Sequence, residues 1–157
     1  MPRERMSRGD LYLFVAVFAV FGIVDAAYLA WEKLAAANAT WCDISTYFNC
    51  TDVRTSAYSS FAGIPTAAVG LVGFLILLVF AIIAFRGVER IGPWPVDSWI
   101  LLFAILGAFV GFGLTLIEVF VIEAVCILCV IGFGLDLGVL VAAVALVRRA
   151  RQPDAGV

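Results

Sequence analysis

The chain has 157 residues, of which 64% are hydrophobic and 14% charged, and its formal net charge is −2. Soluble globular domains are only about 45–50% apolar, so this composition excludes an ordinary water-soluble protein and indicates that lipid is its solvent. The net charge says little about partners, because orientation in a membrane depends on where the basic residues lie. We expect no nucleic-acid partner.

Four apolar stretches are long enough to cross a bilayer. A hydrocarbon core of about 30 Å requires roughly 20 helical residues at about 1.5 Å each. The stretches that reach this length are 11–31, 64–85, 99–122 and 125–147. Because they occupy most of the chain, the sequence predicts an all-α fold, a single membrane domain over 1–157 that forms a four-helix bundle with a long loop at 32–63.

Basic residues predict how the bundle is oriented. Only Lys33 and Arg54 fall in the 32–63 loop; the other eight of the ten are Arg3, Arg5, Arg8, Arg86, Arg90, Arg148, Arg149 and Arg151. By the positive-inside rule, both termini face the cytoplasm and the long loop is extracytoplasmic.

A cleaved secretory signal is an alternative interpretation of the first stretch, since Ala37-Asn38-Ala39 resembles a small-residue cleavage site. The stretch is longer than the roughly 7–15 residues of a signal's apolar region, and cleavage would leave an odd number of spans. We therefore expect a retained first helix.

Local signals predict where helices begin and how they pack. Asp10 is suited to cap the first helix, and Gly63-Ile64-Pro65 favours the start of the second, because proline suits the first helical turn. Gly107 and Gly111 are four residues apart, a spacing that permits close helix packing in lipid. We favour packing over a functional role for these glycines.

Four cysteines carry the chemical signal of the sequence: Cys42 and Cys50 in the long loop, and Cys126 and Cys129 at the start of the fourth helix. All four are expected at one face of the membrane. A single cysteine is usually a small buried hydrophobe. Two pairs at an oxidising surface instead indicate redox chemistry.

The two pairs have different expected settings. Cys126 and Cys129 are three apart, so they share one helical face. A helix N-terminus lowers a thiol pKa, which favours Cys126 as the attacking or attacked sulfur, while Cys129 lies about 4.5 Å deeper, beside lipid-soluble molecules. Cys42 and Cys50 sit in a flexible loop that can reach both a soluble partner and Cys126, as thiol–disulfide exchange requires.

Two other interpretations of the cysteines are a static structural disulfide in the loop and a four-cysteine zinc site. Zinc is disfavoured by the oxidising compartment and by the wide spacing from Cys42 to Cys50. The chain has no histidine, which excludes mixed Cys/His sites. We expect no metal.

A dithiol oxidised in a membrane must pass two electrons to an acceptor, and the sequence has no haem, flavin or iron–sulfur motif. A diffusible quinone is the simplest acceptor. Hydroxyl and aromatic side chains that could contact it, each also explicable by packing, are Ser56, Tyr58, Ser59, Phe61, Phe112 and Phe133.

Three acids, Asp25, Glu118 and Asp136, lie in or near the membrane, where ionisable residues are costly and default to functional candidates. Asp136 is seven residues past Cys129 on the same helical face, and Asp25 is expected at a similar depth. Asp25 and Asp136 could carry protons to a quinone or form hydrogen bonds between helices.

Taken together, these residues resemble the vitamin K epoxide reductase family, specifically its prokaryotic members. The residues that carry the likeness are Cys42, Cys50, Val53, Ser56, Tyr58, Ser59, Gly63-Ile64-Pro65 and Cys126-Ile127-Leu128-Cys129. The resemblance covers nearly the whole chain, and the order of the motifs is specific, whereas a lone CxxC would be weak evidence.

The resemblance implies a four-helix bundle around a quinone, in a prokaryotic cell membrane. Cys126 and Cys129 would be the active-site pair, with Cys129 nearest the quinone and Cys126 exchanging with Cys50. Cys42 and Cys50 would be reduced by a thioredoxin-like extracytoplasmic protein, so that the enzyme generates disulfides. The quinone would be menaquinone, ubiquinone or vitamin K.

Two departures from the family pattern affect what is expected. Many prokaryotic members carry a fused thioredoxin-like domain, whereas this chain ends at Val157, so a separate partner is expected. Vertebrate members have tyrosine where Phe133 stands, which makes epoxide reduction less expected than quinone reduction.

The nearest chemical rival is the DsbB family, but there the helix-start pair comes before the loop pair. A rival of another class is a non-catalytic membrane scaffold or small transporter with a structural disulfide in its outer loop.

Overall fold

A computed structural model describes residues 6–35 and 40–152. Its helices are α1 (Arg8–Leu34), a short α2 (Cys50–Thr55), α3 (Thr66–Phe85), α4 (Val96–Ile117, continued by a π-helical turn Glu118–Ile122) and α5 (Ile127–Ala150). Within this part of the chain, four helices are long and apolar enough to cross a membrane. The predicted membrane four-helix bundle is therefore confirmed; Arg3, Arg5 and Ala37–Ala39 lie outside the described residues.

The long helices form a ring in which α1 packs against α3 and α5, and α4 packs against the same two helices. Val15, Ile100, Val139 and Leu146, all fully buried, fill its centre. The outer faces are apolar, with side chains such as Phe109 largely exposed. Such a surface would be a liability in water, but it is the expected contact surface for lipid.

The start of α1 differs from the prediction, because Ser7 and not Asp10 is the N-cap. Ser7 Oγ accepts a hydrogen bond from the Asp10 N–H at 3.1 Å, and Asp10 Oδ2 accepts one from the Ser7 N–H at 2.7 Å. This reciprocal pair is a capping box, in which the acid at the third helical position complements the cap. The predicted N-cap was therefore wrong by three residues.

A small hairpin precedes each of α3 and α4. Strands β1 (Ser60–Phe61) and β2 (Ile64–Pro65) pair before α3, and strands β3 (Arg90–Ile91) and β4 (Trp94–Pro95) pair before α4. Each turn contains a glycine at positive φ, 81° for Gly63 and 63° for Gly92, as tight hairpin turns require. Because Ile64 and Pro65 pair with β1, α3 begins at Thr66 and not at the predicted glycine-proline segment.

The paired glycines of α4 lie against α5, as expected for a packing role. A Cβ on Gly107 would come within 2.7 Å of Asp136 Oδ1, and Gly111 lies against the ring of Phe133. Larger residues at these positions would push α4 and α5 apart.

Candidate active site: two cysteine pairs beside a buried cavity

The structure gathers three of the four cysteine sulfurs at one end of the bundle. Cys42 and Cys50 form a disulfide, whereas Cys126 and Cys129 are free thiols. The Sγ atoms of Cys42, Cys50 and Cys126 all lie within 4.8 Å of one another. Three cysteine sulfurs this close could hold a soft metal as thiolates, but two of them are already joined, so the arrangement suits thiol–disulfide exchange.

Backbone pairing brings the loop disulfide to the start of α5. The Val125 N–H donates to the Tyr47 carbonyl at 2.7 Å, and the Asn49 N–H donates to the Val125 carbonyl at 3.2 Å. These two bonds flank a parallel bridge between Phe48 and Val125. Cys50 and Cys126 each directly follow a paired residue, which places them side by side.

Side-chain hydrogen bonds hold the other end of the loop. The Asp43 carboxylate accepts from the Thr51 N–H at 3.1 Å and from its hydroxyl at 2.7 Å, which ties the residue after Cys42 to the first turn of α2. Trp41 Nε1–H donates to Tyr28 Oη of α1 at 2.8 Å. The Thr51 side chain lowers the pKa of the Asp43 carboxyl, because its hydroxyl hydrogen bond favours the charged form.

Cys126 is the N-cap of α5, at the helix start where the sequence placed it, and its sulfur accepts a hydrogen bond from the Cys129 N–H at 3.4 Å. Interaction with the Cys129 side chain lowers the pKa of the Cys126 thiol, as do the Cys129 and Leu128 N–H groups, whereas burial and the nearby Glu118 carboxyl raise it. Cys126 is thus the better nucleophile of the pair.

Glu118 lies beside the two cysteines at the start of α5. The sequence did not assign it to this site. Its side chain is buried, and Oε2 accepts a hydrogen bond from the Cys126 N–H at 3.0 Å. Its carboxyl group also lies close enough to the Cys129 side chain to interact with it electrostatically. The chain returns towards α5 through Glu123, which has a left-handed φ of 57°. The sequence marked Glu118 only as a membrane acid, because nothing in an eight-residue separation shows that the turn folds back onto Cys126.

A cavity of about 420 Å³ begins at the cysteines and extends between the long helices. Cys50, Cys126 and Cys129 line it, as do Asp25 and Asp136. Its volume is within the range of about 300–1,000 Å³ typical of small-molecule sites. Most of its other lining residues are apolar or glycine, so the cavity suits an apolar, lipid-soluble molecule.

Four of the six predicted quinone contacts line this cavity: Ser56, Tyr58, Ser59 and Phe133. Phe61 and Phe112 are not among the described residues that line it, and their side chains are 80% and 55% exposed. Phe61 lies in the hairpin before α3. Phe112 faces away because its neighbour Gly111 is the residue that meets Phe133 on α5.

The serine hydroxyls of the cavity donate their protons to the backbone. Ser56 Oγ donates to the Val53 carbonyl at 2.7 Å, and Ser59 Oγ donates to the Ser56 carbonyl at 2.8 Å. Neither keeps a proton for a quinone carbonyl. Lys33 Nζ, which also lines the cavity, donates to Ser59 Oγ and to the Arg54 carbonyl, both at 2.6 Å. An ammonium has three N–H groups, and among the described residues only two of them have partners. From the sequence, Lys33 was interpreted only as an orienting charge.

The two deeper acids occupy different levels of the cavity. Asp25 Oδ2 lies against Gly132, one turn of α5 nearer the cysteines than Asp136. Asp136 is buried, and its Oδ2 has no hydrogen-bond partner within the described ranges. A buried carboxyl oxygen without a hydrogen-bond partner costs free energy. Asp136 is therefore a candidate to bind a ligand atom or to carry a proton.

The four membrane-spanning helices and the neighbouring cysteines are the features of a membrane thiol oxidoreductase. The fold and the cysteines therefore indicate this class of protein. Comparison with known families is specific: residues 13–148 match the vitamin K epoxide reductase family. Because the match spans most of the chain, the protein belongs to that family. It is an integral membrane protein, and its family implies a redox partner.

Proposed function

We propose that the protein passes electrons from a separate thioredoxin-like protein through Cys42 and Cys50 to Cys126 and Cys129, and from there to a quinone. The net result is the oxidation of partner thiols, which supports disulfide formation. In this proposal the cysteine loop is extracytoplasmic and both termini are cytoplasmic, which follows from the placement of the basic residues.

The observation that carries this proposal is the meeting of three sulfurs within 4.8 Å, with Cys42 and Cys50 oxidised and Cys126 reduced. Exchange proceeds by attack of one thiolate on a disulfide sulfur, and Cys126 lies beside the disulfide it would exchange with. In the proposed direction, the α5 pair takes electrons from the loop pair by this exchange. The next step is oxidation of Cys126 and Cys129 by the quinone.

The cavity supports a quinone as the acceptor. Cys129 lines it next to Cys126, so the electron donor borders the same space that an aromatic ring would occupy. The third N–H of Lys33, which has no partner in ranges 6–35 and 40–152, would donate to a quinone carbonyl near the cysteines. Asp25 and Asp136 would supply protons deeper in the bundle. Menaquinone, ubiquinone and vitamin K all contain a para-quinone ring, which this space would accept.

Access for the partner requires the loop to open. Cys42 and Cys50 are 0% and 3% exposed, so no external thiol can reach their sulfurs in this conformation. Among the described residues, hydrogen bonds from Asp43, Trp41 and the 47–49 backbone hold the loop, and its two cysteines pack in a small buried cluster with Cys126. Breaking these bonds would expose the disulfide to a soluble protein while the bundle stays folded.

Quinone reduction by purified protein in detergent, with a dithiol as electron donor, tests the proposal. We expect turnover in the wild type and only background rates in Cys129→Ala and Cys126→Ala. In Cys129→Ala, Cys126 should also become trapped as a mixed disulfide with a loop cysteine, which peptide mapping would detect.

A matched control is Ser45→Ala, which alters the same end of the bundle without touching a sulfur. If the wild type reduces none of the three quinones, the loop disulfide is a structural staple and the chain is a membrane scaffold or small transporter.

A further inference from the structure

Glu118 is an ionisable residue in a position where burial of its charge is energetically unfavourable. Its side chain is 4% exposed, within a helix that crosses the membrane. Burial of a carboxylate costs several kcal/mol unless it is well paired, and ionisable residues inside membranes default to functional candidates. A neutral acceptor such as glutamine would satisfy the Cys126 N–H equally well, so structure alone does not account for an acid here.

The contacts of Glu118 are with the redox pair itself. Oε2 accepts from the Cys126 N–H at 3.0 Å, which fixes the carboxyl group at the start of α5. From there it lies close to the Cys129 side chain, and it interacts electrostatically with both cysteines. Glu118 also lines the cavity that Cys126 and Cys129 border. One carboxyl group is therefore fixed on the Cys126 N–H, next to the reacting thiols and at the edge of the space assigned to the electron acceptor.

We propose that Glu118 is the catalytic base of the quinone step and takes the proton from the Cys129 thiol. This inference rests on the proposed function. Oxidation of the α5 pair breaks two S–H bonds and forms one S–S bond, and the two electrons reduce the quinone. The Cys129 proton passes to the Glu118 carboxylate and then to a quinone oxygen. Asp25 or Asp136 supplies the second proton to the quinone and regains one from the Cys126 thiol, so that two S–H protons are lost and two O–H bonds form on the quinol.

Asp25 and Asp136 do not compete for this role. Asp136 lies two turns of α5 beyond Cys129, where it meets Gly107, and Asp25 lies against Gly132. Neither forms a hydrogen bond to a cysteine in the described part of the chain. Their position suits proton delivery to the far side of a bound ring, whereas Glu118 is the acid held on the backbone of the redox pair, by the Cys126 N–H.

The test compares Glu118→Gln with wild type in a single turnover. Fully reduced protein is mixed with excess quinone in detergent, and quinol formation is followed by absorbance. Glutamine keeps a carbonyl oxygen for the Cys126 N–H but cannot accept the proton. General base catalysis typically contributes about 10²–10⁴-fold, so we expect the rate at neutral pH to fall by about 100-fold or more.

A pH profile separates a base from a merely structural acid. Without a base, only the Cys129 thiolate reacts, so the Glu118→Gln rate should rise about tenfold per pH unit below the thiol pKa, more steeply than in wild type. Opening of the Cys42–Cys50 disulfide by a small dithiol should stay within about twofold of wild type, which shows that the variant is folded. Glu123→Gln, an exposed acid five residues along the same turn, is the matched control.

Each outcome decides the matter. A large loss in Glu118→Gln that high pH restores supports the inference. A Glu118→Gln rate within threefold of an active wild type overturns it and leaves the proposed function intact. An equal loss at every pH overturns it in favour of a structural role. A wild type that reduces no quinone removes the proposed function, and the inference with it.

Discussion

The two ends of the bundle handle buried polar groups in opposite ways. At the end away from the cysteines, Asp97 is 2% exposed and fully paired: Oδ1 accepts from Tyr12 Oη at 2.5 Å, and Oδ2 accepts from Arg8 at 2.8 Å. Arg8 also donates to Tyr12 Oη at 2.9 Å. These three residues, the Asp97 cluster, join the first turns of α1 and α4 in a closed network.

At the cysteine end, polar groups are left available. In the part of the chain that the structure describes, one N–H of Lys33 and one carboxyl oxygen of Asp136 have no partner. Glu118 is held on the Cys126 N–H, beside thiols that would exchange partners. Fully satisfied networks rigidify a structure, whereas partly satisfied ones are costly and persist where they serve a reaction. The comparison therefore indicates that one end fixes the bundle and the other carries out its chemistry.

The largest test of this comparison is Asp136→Asn. If the unpaired oxygen serves proton delivery, quinone turnover should fall by about tenfold to 100-fold, because asparagine cannot give up a proton at this depth. Steady-state quinone reduction measures the effect. The control is Asp97→Asn, which removes a buried charge at the other end and should leave turnover within about twofold. Full turnover in Asp136→Asn would reduce this acid to a helix-packing role.

A second test breaks the Asp97 cluster. Asp97→Ala leaves Tyr12 and Arg8 without their acceptor, and hydrogen bonds to charged groups contribute about 1.5–3 kcal/mol. We expect the free energy of unfolding in mixed micelles to fall by about 2 kcal/mol, with the activity of the folded protein unchanged. A loss of activity per folded molecule would show that this end also takes part in the reaction.

A third test loosens the loop. Trp41→Phe removes the hydrogen bond to Tyr28, which is worth about 1 kcal/mol, so the opened loop should become roughly fivefold more populated. The rate at which a bulky water-soluble phosphine reduces the Cys42–Cys50 disulfide should rise by that factor. Trp94→Phe, in the hairpin at the opposite end, should leave this rate unchanged. Equal rates in both variants would show that Trp41 does not hold the loop.

The smallest expected effect is a pH dependence of the same loop. The Thr51 hydrogen bonds lower the pKa of Asp43 in the folded loop, so the stabilisation is present above the unfolded pKa of about 4 and is lost as pH falls through the lower, folded value. Reduction of the loop disulfide by the phosphine should therefore accelerate below about pH 4. In Asp43→Asn this acid-induced increase should disappear; its persistence would assign the effect to another group.

Hydrophobic length and the cysteine pattern were enough to predict the membrane bundle and the two pairs. Both are properties of the chain taken one segment at a time: each span needs about 20 apolar residues, and Cys126 and Cys129 share a helical face through their spacing alone. The same holds for the small residues Gly107 and Gly111, whose spacing predicts close packing.

Features that depend on how segments meet were less accessible. The α3 start was predicted too early because Ile64 and Pro65 pair with a strand formed by their own neighbours. Ser56 and Ser59 line the cavity, but their sequence positions do not show that their hydroxyls donate to the backbone. The role of Glu118 depends on a π-helical turn and a left-handed residue, and neither has a clear signature in the sequence.

Burial of the Cys42–Cys50 disulfide sets a rate ceiling on the proposed cycle. However fast the sulfurs exchange among themselves, a partner protein can deliver electrons no more often than the loop opens. Variants with a looser loop should raise the maximal turnover driven by a protein partner while leaving single-turnover quinone reduction unchanged. The same closure protects the oxidised pair from small thiols. The closed loop therefore lowers the maximal turnover rate but makes the enzyme more selective for one electron donor.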